Sequence, residues 1–159
     1  MTRYGLLTLV IAAFFVACTS QKMGGVDKSI EKNWFLSVEE TACFGSCPMY
    51  KIVLDGSGCA RMHGKRFMEP LGVSTVTISD TLLASLVHST ALAKWENYET
   101  EYLSSYSDWP STIVRYSVIP GDTFTVMFQN DLVPAPVTQV ADRLISLRKT
   151  ANWISQTID

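Results

Sequence analysis

From Met49 to Gly64 the chain reads MYKIVLDGSGCARMHG, and no other run constrains the fold as strongly. Met49–Asp55 is rich in β-branched and aromatic residues, the composition of a strand. Asp55-Gly56-Ser57-Gly58 is a tight-turn signal, and the residues from Cys59 supply a partner strand. With Asp55 facing Gly58 across the turn, Leu54 falls opposite Cys59 and Tyr50 opposite His63. A hairpin of this kind commits the chain to antiparallel pairing.

The flanking sequence extends the pattern. WFLSVEETA before the hairpin and VSTVTIS after it (residues 73–79) read as further strands. The period then changes. Leu82, Leu83, Leu86, Val87, Thr90 and Ala91 fall at helical spacing, with Ser79 or Asp80 as N-cap. His88 sits at the edge of that stripe. A polar, aromatic connection (ENYETEYLSSYSDWPS) leads to STIVRYSVI and TFTVMFQ, two strands joined at Pro120-Gly121-Asp122. Pro134 and Pro136 open a last helix, whose apolar face runs through Val137, Val140, Ala141, Leu144, Leu147, Ala151 and Ile154. The order β-β-β-β-α-β-β-α gives an α+β fold. It is a mostly antiparallel sheet of about six strands with two helices on one face, in a single domain over residues 34–159.

The N-terminus stands apart. Arg3 precedes an apolar run from Leu6 to Ala17, too short to span a bilayer and the length of a signal-peptide core. It ends Val16-Ala17-Cys18, which resembles a bacterial lipobox. The resemblance implies a lipoprotein signal peptide over residues 1–17, cleavage before Cys18, and lipid on the Cys18 sulfur. An ordinary secretory cleavage is the alternative. Residues 18–33 then comprise the lipidated cysteine and a polar tether containing Gly24-Gly25, with a short helix near Lys28–Lys32 as the other reading. The expected location is the bacterial cell envelope, at the outer membrane. Either route leads to an oxidising compartment, where disulfides persist.

Cys43 and Cys47 enclose Phe44-Gly45-Ser46, and a tight loop through Gly45 can bring their Cα atoms within disulfide range. Pro48 then directs Cys47 into extended backbone. A structural disulfide is the favoured reading. A redox pair would have C-x-x-C spacing at a helix N-terminus, whereas here a strand follows. A metal site could draw on Cys43, Cys47 and His63, the last placed by the hairpin register near Cys47. Cys59 lies roughly 20 Å along the strand from Cys47 at about 3.3 Å per residue. It is therefore the odd cysteine, read as a small buried hydrophobe.

Charge is nearly balanced, with 13 basic and 15 acidic residues and no basic run interleaved with aromatics, which argues against nucleic-acid binding. Serine-hydrolase, zinc-protease and nucleotide-loop motifs are absent from the sequence. Glu39 and Glu40 are adjacent on a strand and so face opposite ways, a poor start for paired acid–base chemistry. Asp108-Trp109-Pro110 is the one loop trio of interest, although an Asp before Pro also simply starts a turn.

CFGSCPMYKIVLDGSG, Gly64, a Leu-rich helix, SDWPST and a closing helix near Trp153 together are similar to the bacterial domain of unknown function 6438, over about residues 35 to 154. The resemblance implies a small secreted or lipid-anchored protein. It directs attention to Cys43, Cys47, Pro48, Tyr50, Asp108 and Pro110, and it implies no activity and no cofactor. The expectation is a binding module, not an enzyme. Tyr50, Asp108 and Pro110 would belong to a surface for an envelope protein or small ligand, and the membrane would be a partner through the lipid. The competing expectation is a thiol-based redox or metal-binding protein using the Cys43/Cys47 loop.

Overall fold

The computed structural model describes residues 33–105 and 108–156. The signal peptide, Cys18 and the tether up to residue 32 lie outside them. Strands β1 (Phe35–Glu40), β2 (Met49–Asp55), β3 (Cys59–Arg66) and β4 (Gly72–Thr77) are followed by α1 (Asp80–Leu92). Then come β5 (Glu101–Tyr102), β6 (Thr112–Ile119), β7 (Asp122–Phe128), α2 (Ala135–Thr150) and β8 (Ile154–Ser155). All eight strands form one sheet in the order β5-β7-β6-β1-β2-β3-β4-β8. Pairing is antiparallel throughout except between β5 and β7.

Among the described residues the fold is α+β with the two helices α1 and α2, and the strand count exceeds the expected six by two. Both additions, β5 and β8, are two residues long. β8 also corrects the reading of the last helix. That helix stops at Thr150, and Ile154 is an exposed strand residue opposite Thr75 instead of part of the helical stripe.

Alternation along the strands makes the layers. Leu36, Val38, Ile52, Leu54, Met62, Val114 and Val126 point to one face and are almost wholly buried. Leu83 and Leu86 of α1 and Val137, Val140, Leu144 and Leu147 of α2 complete the same core. Thr90 serves two indoles within it. Its hydroxyl accepts from Trp34 Nε1 at 3.2 Å and its carbonyl from Trp95 Nε1 at 2.8 Å, so both buried Trp N–H groups are satisfied. Ser79 caps α1 by accepting from the Leu82 amide. Among the described residues, no helix is long and apolar enough to cross a membrane.

The hairpin register differs from the expected one by one residue. Leu54 pairs with Ala60, Tyr50 with Gly64, and His63 with Lys51. The loop spans three residues, Gly56 to Gly58, because Gly58 adopts φ +80°, the left-handed conformation that follows a type I turn in such loops. The Asp55 carboxylate fixes it by accepting from the amides of Ser57 and Cys59.

Candidate functional site

The register places four connections at one end of the sheet. β1 ends there at Glu40, opposite Tyr50 at the start of β2 and Thr112 at the start of β6. β3 ends beside Met49, and β7 ends at Phe128 beside Thr112 and Tyr102. The loops 41–48, 67–71 and 129–134, and the described residues of 103–111, therefore share that end.

Loop 41–48 is held at three levels. At its base, the Thr41 amide donates to the Ser111 carbonyl at 3.0 Å, and the Ser111 amide donates to Thr41 Oγ1 at 2.8 Å. Cys43 and Cys47 are joined by a disulfide with their Cα atoms 5.7 Å apart. Between them the Phe44 amide donates to the Asp108 carbonyl at 3.2 Å. The stapled loop and the Asp108 loop thus lie side by side. The Phe44 ring is left 91% exposed at the tip.

The Asp108 loop is anchored from the other side by Gln129, a buried amide just beyond β7. Its Oε1 accepts from the Ser104 amide at 2.9 Å and its Nε2 donates to the Trp109 carbonyl at 3.1 Å. One side chain therefore grips both arms of the loop. Trp109 remains 42% exposed, and Pro110 is half-buried behind it. Phe67, Leu71, Leu103 and Leu132 are also exposed in the loops of this end.

Beneath the staple, on the helix-covered face, lie Glu40, Tyr50, Thr112 and Arg148. The Arg148 guanidinium stands 5.2 Å from the centre of the Tyr50 ring. Burial is the main cause of a Tyr50 pKa pushed up to about 12, with the Glu40 charge adding to it and Arg148 opposing. Glu40 is also raised, chiefly by burial. The Thr112 hydroxyl, donating to Glu40 Oε1 at 2.8 Å, and the charge of Arg148 pull against that, and Asp142 adds to it. Arg148 Nε is buried with no hydrogen-bond partner. With Tyr50 sealed from solvent, this group forms a polar floor under the loops.

Arg148 and Gln129 escaped the sequence reading. Arg148 had a signal, since it falls four residues after Leu144 on the apolar stripe of α2, where a cation is out of place. Gln129 had none. His63 lies on the uncovered face, paired with Lys51 and Val73, while Tyr50 faces the helices. The expected proximity of His63 to the cysteine loop came from the misplaced register. Among the described residues, no three His, Cys, Asp or Glu side chains gather as a metal would need. The thiolate readings of Cys43 and Cys47 meet a formed disulfide, and the chain after it enters β2, not a helix N-terminus.

Cys59 also requires correction. It is buried, as expected, but it is disulfide-bonded and not an apolar filler. No cysteine among the described residues is free.

A family model described as Domain of unknown function (DUF6438) matches residues 35–148, which takes in the stapled loop, the Asp108 loop and Arg148. No curated protein matches the chain.

Proposed function

The chain belongs to the DUF6438 family, and from that premise we propose that it is a lipid-anchored protein of the bacterial envelope. In this reading it binds a partner, an envelope protein or a small ligand, through the stapled end of its sheet, and it is not an enzyme. The observation that carries the binding role is the presentation of Phe44. A large aromatic side chain is 91% exposed on a loop closed by a disulfide and tied to its neighbour by a backbone hydrogen bond. Rigid aromatic anchors dominate binding energy, and holding them in place beforehand lowers the ordering cost of association. Trp109, Leu103, Leu132, Phe67 and Leu71 at the same end supply the apolar surround that such an anchor needs. The anchor is supported by the apolar run before Cys18 and by the polar segment that follows it.

Site-specific photocross-linking in intact envelopes tests this reading. A benzoylphenylalanine at position 44 should give discrete adducts. The same probe at Ile119, exposed in the β6–β7 turn at the other end of the sheet, should not. Identical adduct patterns from the two positions, or none from position 44, would sink the binding role.

A further inference from the structure

At one side of the sheet a strand is paired over only part of its length. β7 lies between β6 and β5, yet β5 meets it only at Met127 and Phe128. The amides of Met127 and Gln129 donate to the carbonyls of Thr100 and Tyr102. Strand alternation turns the amides and carbonyls of Thr123 and Thr125 toward the same side. Among the described residues no backbone pairs with them there. Asp122 and Thr123 are exposed, and Phe124 and Thr125 are half-buried. Sheets blunt such an edge with Lys, with Pro or with a bulge on the strand itself. Residues 122–126 hold neither Lys nor Pro, and the nearby irregularity falls on β6, between Tyr116 and Ile119. The two sides of the edge differ in chemistry. Toward the helices, Phe124 ends an aromatic row, stacked with Tyr116 at 6.4 Å, which is stacked with Trp95 at 5.2 Å. On the other side, Glu101 stands beside Met127, in line with Thr125 and Thr123. Glu99 and Asp122 are exposed acids at the two ends of the edge. No basic residue occurs from Trp95 to Val114, and Arg115, opposite Thr125, is engaged by Glu39.

We propose that the β7 edge takes up an extended segment of a partner protein as an added strand, one that alternates apolar residues with Lys or Arg. Its backbone pairs with Thr123 and Thr125. Its apolar side chains continue the aromatic row beyond Phe124, and its cations meet Glu101 and Glu99. In strand addition the main-chain bonds give affinity and alternate side chains give specificity. A second copy of this chain fits the edge worse. Two β7 edges paired antiparallel bring Asp122 of each toward the Glu99–Glu101 end of the other, like charge against like. The edge is separate from the stapled end, so this surface does not rest on the binding role given to Phe44.

Amide exchange of the full chain, followed by NMR, tests the proposal with a capped peptide of alternating Val and Lys as the probe. In the free chain the Thr123 and Thr125 amides should exchange near the rate of an unstructured chain. Saturating peptide should slow both on the order of tenfold and leave the Phe44 amide unchanged. A peptide with Glu in place of Lys should not protect them. Nor should one with Pro in place of Val, which keeps the charges and cannot form the ladder. Thr125→Pro, a change that an edge amide tolerates, should abolish the protection at Thr123. Should that variant misfold, Glu101→Lys leaves the backbone alone and should weaken protection by the Lys peptide severalfold. Failure of the Val-Lys peptide to protect either amide overturns the proposal. So does equal protection by the Glu or the Pro peptide, or undiminished protection in Glu101→Lys. Slow exchange in the free chain overturns it as well. If that slowness fades on dilution, a second copy holds the edge, and if it persists, a segment of the same chain does.

Discussion

Glu39 and Glu40 are neighbours on β1, and the sheet moves their carboxyls in opposite directions. Glu39 faces the uncovered side, where hydrogen bonding by Lys65 is the largest cause of its lowered pKa, outweighing a modest burial. Glu40 faces the helices, where burial raises it despite Thr112 and Arg148. Strand alternation alone separates the two fates.

Their substitutions should therefore act with opposite sign at neutral pH. The fold favours ionised Glu39, so its contribution is present above the ordinary carboxylate range and is lost as pH falls through the depressed value. The fold favours protonated Glu40, so its contribution is present below that range and is lost as pH rises through the raised value. Glu39→Gln should cost about 0.5–1 kcal/mol at neutral pH, the scale of a partly exposed pair. Glu40→Gln, which keeps an acceptor for Thr112, should raise stability at neutral pH and leave it unchanged in acid. Urea unfolding across the acid-to-neutral range measures both. Shifts of the same sign would contradict this account.

The staple closes a short loop, with a sequence separation of 4. Chain entropy then limits its worth to about 2 kcal/mol. The Cys43→Ser, Cys47→Ser double variant should lose about that much and still fold, because Thr41–Ser111 and the rest of the sheet remain. The sharper readout is local. Exchange of the Phe44 amide, which donates to Asp108, should accelerate far more than exchange in β2. Unchanged exchange at Phe44 would mean that the disulfide does not hold the tip.

Gly64 pairs with Tyr50 on one side and Gly72 on the other. A Cβ there would sit 2.2 Å from the Pro70 carbonyl oxygen and 3.3 Å from Met68 Sδ. The obstacle is backbone of the 67–71 loop folded over the strand, which cannot swing aside as a side chain could. Gly64→Ala should thus cost about 2 kcal/mol or more, as overpacking against backbone does. Gly72→Ala meets no atom within 4 Å, although its φ of +79° disfavours a side chain. Thermal unfolding of the two variants separates the clash from the backbone effect. Equal losses would remove the steric explanation for Gly64.

Much of this architecture was legible because alternation and helical spacing are strong signals. β2 begins and ends where its composition changes, and Ser79 caps α1 as its position suggested. What was hidden has a common physical cause. The register slip at Gly58 reflects a turn sequence compatible with two loop lengths. β5 and β8 are two-residue pairings made by backbone at the sheet edges, with no side-chain period to announce them. Within the candidate site, the staple was readable from cysteine spacing, and its pairing with the Asp108 loop only from the family pattern. The grouping of Lys51, Arg61, Lys65 and Arg115 around Glu39 on one face was invisible in a linear chain, since register assembles it from four strands.

Gln129 is the residue whose loss should release the two arms of the Asp108 loop from each other. Removing its side chain leaves the Ser104 amide and the Trp109 carbonyl to find water. Gln129→Ala should cost about 1–3 kcal/mol. It should also raise amide exchange through 103–110 without altering the Cys43–Cys47 bond. If exchange there is unmoved, the loop is held by other contacts.

The cysteines allow the anchor to be tested against an exclusive alternative. The chain has four, and Cys43 and Cys47 bond each other. Cys59 is disulfide-bonded, so within one chain the sequence leaves Cys18 as its possible partner, the same sulfur that the anchoring assigns to lipid. One sulfur cannot carry both bonds. Non-reducing peptide mapping of protein from its envelope should find acylated glycerol on the peptide beginning at Cys18, and the mass of an oxidised pair across Cys43 and Cys47. A Cys18–Cys59 cross-linked peptide would instead refute the lipid anchor. It would leave the staple, the loop it closes and the exposed Phe44 untouched, because none of them depends on Cys18.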